Sequence, residues 1–165
     1  ALTSEPGRGT EFRVYFPIAE ALIKEEPEER PFRAHAGTGT ILVVDDEPMV
    51  TRTARLALQK CGYTVLTAQN GREAVDLFRA LANEIDLVLL DMTMPVMPGD
   101  IAFQQIRAIR SNVRVIASSG YDEAEASSRF GEDLDGFIQK PYKAGQLAEK
   151  VHEILSKRPA ARGAG

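Results

Sequence analysis

From Thr40 onward, short apolar runs alternate with helical repeats five times over, and most of the runs end at a polar residue. Ile41-Leu42-Val43-Val44 ends at Asp45, Leu87-Val88-Leu89-Leu90 ends at Asp91, and Val113 to Ala117 ends near Ser118 and Ser119. Thr64 to Ala68 and Gly136 to Gln139 complete the set, the latter followed by Lys140. Unbroken apolar runs of this length are strands buried on both faces. Between them, Val50, Ala54, Ala57, Leu58 and Cys61 share one helical face, with Pro48 near the start, where a missing N–H costs little. Asn70 and Glu73 have capping-box spacing ahead of Ala74, Leu77, Phe78 and Leu81. Further helices carry Phe103, Ile106 and Ile109, a weaker Ala- and Ser-rich stretch at 122–130, and Ala144, Leu147, Val151, Ile154 and Leu155. This alternation predicts an α/β fold, a doubly wound five-stranded parallel sheet with helices on both faces. Right-handed crossovers restrict its topology further.

In such sheets ligands bind beyond the carboxyl ends of the strands. That rule gathers Asp45, Asp46, Asp91, Ser119 and Lys140 on one rim. Three carboxylates crowded together repel and raise one another's pKa. A hard divalent cation removes that conflict; Mg²⁺ takes one or two carboxylates, waters and a phosphate oxygen. A carboxylate is also a nucleophile able to form an aspartyl-phosphate, and a fixed cation neutralises charge on the transferring group. Lys140 supplies that cation and Ser119 a hydroxyl donor. Each piece alone has an ordinary reading. An Asp-Asp pair caps helices, a strand-terminal Asp turns the chain, Lys140-Pro141 is a surface lysine before a loop, and Ser118-Ser119-Gly120 is a loop. The signal lies in their joint occurrence at successive strand ends.

Residues 40–158 resemble the receiver domain of two-component response regulators. The pieces are Ile41-Leu42-Val43-Val44-Asp45-Asp46-Glu47-Pro48, Asp86 to Pro95 with Gly99, Val115-Ile116-Ala117-Ser118-Ser119-Gly120-Tyr121, and Gly136-Phe137-Ile138-Gln139-Lys140-Pro141. The resemblance implies flavodoxin-like strand order 2-1-3-4-5. It makes Asp91 the phosphoacceptor, with Mg²⁺ or Mn²⁺ held by Asp45, Asp46, Asp91 and the Thr93 carbonyl. It makes Lys140 the phosphate-binding lysine, with a cis bond to Pro141, and Ser119 the switch hydroxyl. Ser118 lies one residue early and is read as structural. Phe137 occupies the position of an aromatic switch residue, or is simply a strand residue packed on the sheet. Thr93 and Tyr121 stand where the family tunes phosphate lifetime. The implied function is phosphorelay signalling from a histidine kinase or histidine phosphotransfer domain, with output through the fourth predicted helix, the fifth strand and the last helix.

Residues 1–39 differ in composition, with Gly, Pro and the acidic run Glu25, Glu26, Glu28, Glu29. Thr10 to Ile18 alternates Phe12, Val14, Phe16 and Ile18 with polar neighbours and Pro17, the pattern of a strand with one buried face. The Gly-rich turn before it has hairpin chemistry; residues 19–24 suit a short helix. Ser4 to Pro17 resembles the last hairpin of the ATP-binding domain of sensor histidine kinases. The expected organisation is a kinase remnant over 1–18, a linker over 19–39, a receiver over 40–158 and a tail over 159–165, as in a hybrid sensor histidine kinase. His35 and His152 lie in no phosphorylatable context, and the ATP-contacting segments are lacking, so neither ATP binding nor histidine autophosphorylation is expected. An orphan strand with an apolar face is expected to dock on the receiver or pair with a second copy, possible dimer routes being this strand and the receiver face.

The net charge of −4 argues against a nucleic-acid surface, and no apolar run reaches the ~18 residues of a membrane span. The single cysteine, Cys61, excludes an intramolecular disulfide and suits a reducing, cytoplasmic setting. It reads as a small buried apolar residue. Two other function classes compete. A receiver-like interaction module need not keep the Asp45, Asp46, Asp91, Ser119 and Lys140 set. A Mg²⁺-dependent phosphatase would need a cap and a second Asp where Thr93 stands.

Overall fold

The computed structural model describes residues 2–15, 37–120 and 133–157. The chain divides into two compact units, Ala1–Phe32 and Arg33–Gly165. In the first, β1 (Leu2–Glu5) and β2 (Gly9–Phe12) form an antiparallel hairpin. Its turn places Pro6 second and Gly7 third, with φ 79° at Gly7 and Arg8 N–H donating to the Glu5 carbonyl at 3.0 Å. Those are the requirements of a type II turn. The strand expected over Thr10–Ile18 ends at Phe12, and the expected buried face is not found: Phe12 and Val14 are exposed. Alternation is a local property, whereas a strand lasts only as long as its backbone has a partner, here four residues. Residues 16–18, the expected helix at 19–24, that at 122–130 and Tyr121 lie outside the described residues.

The second unit contains β3 (Thr40–Val44), α1 (Pro48–Lys60), β4 (Thr64–Ala68), α2 (Gly71–Ala80), β5 (Ile85–Asp91), α3 (Gly99–Ile109), β6 (Arg114–Ser119), β7 (Gly136–Gln139) and α4 (Ala144–Ser156). Its five strands are parallel in the order β4-β3-β5-β6-β7, the expected 2-1-3-4-5. Strand alternation divides the core between two faces. Leu42, Val44, Val88, Leu90, Val115 and Ala117 pack with Ala74, Phe78, Phe103 and Ile106 of α2 and α3. Ile41, Val43, Leu87, Leu89, Ile116 and Ile138 pack with Ala54, Leu58, Leu147, Val151 and Ile154 of α1 and α4. The inner runs read as continuous apolar sequence because both faces are covered.

Helix starts follow local chemistry. Pro48 begins α1, and Asn70 Oδ1 accepts from Glu73 N–H at 3.0 Å. The Glu73 carboxylate accepts from Gln69 N–H rather than from Asn70, so the capping box closes one residue early. Cys61 caps α1, buried, with Sγ on the Ala57 carbonyl; burial raises its thiol pKa. Val50, expected in the core face, is half-buried, and Thr51 is buried instead.

The loop from β5 to α3 holds a strained turn. Met97 N–H donates to the Pro95 carbonyl at 2.7 Å, closing a three-residue turn around Val96 at φ 70°. This is the rare hand of the γ-turn, and a β-branched residue is a poor occupant. Val96 is 81% exposed, so its side chain gains little from packing. Val96→Gly is therefore expected to stabilise the fold by about 1 kcal/mol, relief of left-handed strain exceeding glycine's entropy cost. Urea unfolding of both chains measures this; a less stable glycine variant would show that the valine side chain contributes more than its exposure indicates.

Candidate functional site

The carboxyl ends of β3, β5 and β7 bring four predicted residues together. Asp45 follows β3, Asp91 ends β5, and Lys140 follows β7. Carboxylate oxygens of Asp45, Asp46 and Asp91 lie within 4.8 Å of one another. Asp45 and Asp91 are buried, while Asp46 faces solvent. Lys140 Nζ lies 2.6 Å from Asp45 Oδ2 and 3.1 Å from Asp91 Oδ2. Backbone bonds fix these groups. Asp45 Oδ1 accepts from Glu47 N–H at 3.0 Å, and Asp91 Oδ1 accepts from Thr93 N–H at 3.3 Å. Lys140 N–H donates to the Ser119 carbonyl at 2.7 Å, and the Lys140–Pro141 bond is cis, as expected.

Burial pushes the Asp91 carboxyl above its ordinary value; Lys140 opposes this by charge and hydrogen bond, Asp45 adds to it, and the Thr93 N–H opposes it. For Lys140, burial acts downward, but hydrogen bonding and charge from Asp45 and Asp91 outweigh it and raise its pKa. The lysine therefore stays a fixed cation between two acids. The donor set fits a hard divalent cation: three clustered carboxylates, one open to solvent, beside the exposed Thr93. Bound there, such an ion neutralises the clustered negative charge.

Ser119 ends β6, buried, one residue past the Ser118 that pairs with Asp91. Phe137 pairs with Ala117 in register and packs, partly buried, on the core group shared with α2 and α3. Strand alternation places Ser119 on that same face, the side opposite Leu89 and Ile116. The geometry thus links Ser119 to Phe137 through one sheet face. The rim opens into a cavity of about 810 Å³ lined also by Met49, Val50, Thr53 and Tyr142, none of which the sequence marked as a site residue, Val50 having been expected in the core face. The first three follow the acid pair at helical spacing, and Tyr142 follows Lys140-Pro141 directly, so both signals were present.

An acidic pocket with a half-buried lysine, at the carboxyl edge of a sheet ordered 2-1-3-4-5, defines a flavodoxin-like signalling domain. The chain belongs to the response regulator receiver domain family, which matches residues 41–152. It is 35% identical over 164 residues to the sensor kinase CckA of Brucella abortus, covering 94% of this chain and 17% of that protein. It is 28% identical to the autoinducer 1 sensor kinase/phosphatase LuxN of Vibrio campbellii, covering 95% of this chain and 20% of the relative. The chain thus spans about a fifth of the length of these kinases. Among solved structures, the receiver domain of the hybrid histidine kinase CckA superposes with TM-score 0.62 at 31% identity, over 72% of this chain and all of that one. The CheX-CheY-BeF3-Mg complex from Borrelia burgdorferi gives TM-score 0.68 at 27% identity, over 72% and 90% of the chains. The chain is a two-component receiver domain acting in phosphorelay signalling. Among the described residues no helix is long and apolar enough to cross a membrane.

Proposed function

We propose that Asp91 accepts a phosphoryl group from a phosphohistidine on a histidine kinase or phosphotransfer domain. The supporting observation is the Lys140 ammonium bridging Asp45 and Asp91 beside the acid cluster. An Asp91 carboxylate oxygen attacks phosphorus and the P–N bond breaks with its electron pair passing to the ring nitrogen; the donor histidine, protonated on its other ring nitrogen, leaves as the neutral imidazole. Lys140 stays in place to meet the charge on the transferring oxygens. Asp45, Asp46, Asp91 and the Thr93 carbonyl hold Mg²⁺ or Mn²⁺, which supplies further neutralisation. Ser119 then turns toward the phosphoryl oxygens, and Phe137, on the same sheet face, repacks and alters the surface near β7 and α4. That is a two-state shift biased by local charge. Thr93 and Tyr121 set the phosphate lifetime.

The parent is a cytoplasmic hybrid sensor histidine kinase, with the β1–β2 hairpin the end of its ATP-binding domain. Alignment of 94–95% of this chain with two sensor kinases supports that reading, because it reaches well before residue 40. The hairpin's exposed Leu2, Phe12 and Val14 need cover, which a neighbouring domain or a second copy provides.

Intact-mass analysis after acetyl phosphate with Mg²⁺ tests the site. One added phosphoryl group is expected, and chelation of the metal is expected to abolish it. A chain that takes no label and binds no Mg²⁺ would instead be an interaction module.

A further inference from the structure

β7 is an edge strand of four residues, and its ladder with β6 opens at Ile116 and Gly136. An edge strand this short has few backbone bonds to hold its place. Its carboxyl end is tied to the site, because Lys140 N–H donates to the Ser119 carbonyl. Its amino end is tied elsewhere. Asp135 N–H donates to the Val115 carbonyl at 3.0 Å, and Asp135 Oδ2 accepts from Val115 N–H at 2.9 Å. The Asp135 side chain thus extends the ladder one step before the strand begins.

The same carboxylate oxygen meets Arg107 of α3 at 2.8 Å, in a pair whose side chains are 12% and 24% exposed. The Arg107 Nη2 that reaches Asp135 also donates to the Asp133 carbonyl at 2.6 Å, and Nη1 donates to the Ser111 carbonyl. The guanidinium lies over Phe103, 5.3 Å from the ring centroid. A forked donor on a partly covered carboxylate is a stronger tie than a surface pair. Beside it, Leu134 and Phe137 pack on the core group that contains Phe103 and Ile106. Phe137 therefore stands close to a fixed point.

We propose that Arg107 and Asp135 form a positioning clamp that holds the β7 backbone still, so that the Phe137 ring rather than the strand answers phosphorylation of Asp91. A strand tied at both ends does not slide, and a side chain moves between discrete rotamers, which makes the response two-state rather than graded. The proposal rests on the phosphoacceptor reading of Asp91 and goes beyond it by naming where the movement stops.

The test uses the full chain with and without beryllofluoride and Mg²⁺, a lasting stand-in for the phosphoryl group. Amide hydrogen exchange and the magnetic resonance signal of the Phe137 ring are followed. In the parent chain the ring signal is expected to move between two positions while the Val115 and Asp135 amides keep their protection. Arg107→Met and Asp135→Asn, the latter retaining an acceptor for Val115 N–H, are expected to speed exchange at the amide of residue 135 about tenfold. Both should leave the ring signal of the free chain averaged between the two positions. Labelling by acetyl phosphate should stay at the parent rate, since neither residue lines the site cavity, which separates a lost clamp from a lost fold. Asp135→Asn keeps the test decisive if Arg107→Met folds poorly. Parent exchange at Val115 and Asp135 that speeds up with beryllofluoride, or variant ring signals that match the parent's, overturns the clamp. A parent chain that neither labels nor binds beryllofluoride overturns the phosphoacceptor reading, and the clamp's role with it.

Discussion

Asp91→Asn is expected to take no phosphoryl group and to be more stable than the parent chain at neutral pH. The first part follows from chemistry, because a carboxamide is not a competent nucleophile toward phosphorus under these conditions. The second follows from the balance at the site. Asp91 is 5% exposed, and burial together with the Asp45 charge raises its pKa despite Lys140 and the Thr93 N–H. The folded state therefore holds this proton more tightly than the unfolded state does. Stability linked to it is fully present below the unfolded value near 3.8 and is lost as pH rises through the raised folded value. At neutral pH the parent chain carries the ionised, disfavoured form. Asparagine keeps the shape and offers Lys140 an oxygen without the charge. A gain of about 1 kcal/mol, or about 2–6 °C in Tm, is expected. The gap between variant and parent should shrink as pH falls through the carboxyl's titration, because the parent then becomes neutral too. A variant less stable than the parent at pH 7 would mean that the Lys140–Asp91 attraction outweighs the cost of burial.

The parts of the fold legible in the sequence are those set by burial on both faces and by caps. Ile41–Val44 and Leu87–Leu90 show as apolar runs because the central strands have no solvent side, and Thr64–Ala68 and Gly136–Gln139 take the bounds expected of them. Asp45, Asp46, Asp91 and Lys140 were legible because strand ends in a parallel sheet converge. Register was not. That Asp91 pairs with Ser118, and hence that Ser118 rather than Ser119 shares its face, is a tertiary fact with no local signature. The overlong N-terminal strand has a related cause, since the alternation through Phe12 and Val14 says nothing of where backbone pairing stops. Val96 carries no signal of its left-handed backbone, which the closure between Pro95 and Met97 imposes.

Gly99→Ala is expected to damage both fold and site. Gly99 opens α3, and its N–H donates to the Met92 carbonyl at 3.1 Å. A Cβ there would lie 2.2 Å from the Asp91 carbonyl oxygen, 2.9 Å from Met92 Cα and 3.0 Å from the Asp91 carbonyl carbon. All three atoms are backbone, so no side chain can swing away to make room. Either α3 backs off from the sheet, opening voids around buried Ala102, Phe103 and Ile106, or the end of β5 shifts and carries Asp91 with it. Overpacking of this kind costs about 3 kcal/mol. If β5 yields, the carboxylate moves relative to Lys140 and Asp45, and a displacement of about 1 Å lowers transfer rates up to a hundredfold. The expected result is a lower urea midpoint together with labelling at least about tenfold slower at a temperature where circular dichroism shows the variant folded. Parent-like stability and rate would mean that the β5–α3 junction gives way without moving Asp91. Taken with Val96→Gly, the loop yields opposite signs three residues apart. Removing a side chain at Val96 relieves a backbone conformation that valine disfavours, whereas adding one methyl at Gly99 strikes the strand that holds the candidate phosphoacceptor. That contrast locates the constraint in the close approach of the helix start to Asp91, rather than in the loop as a whole.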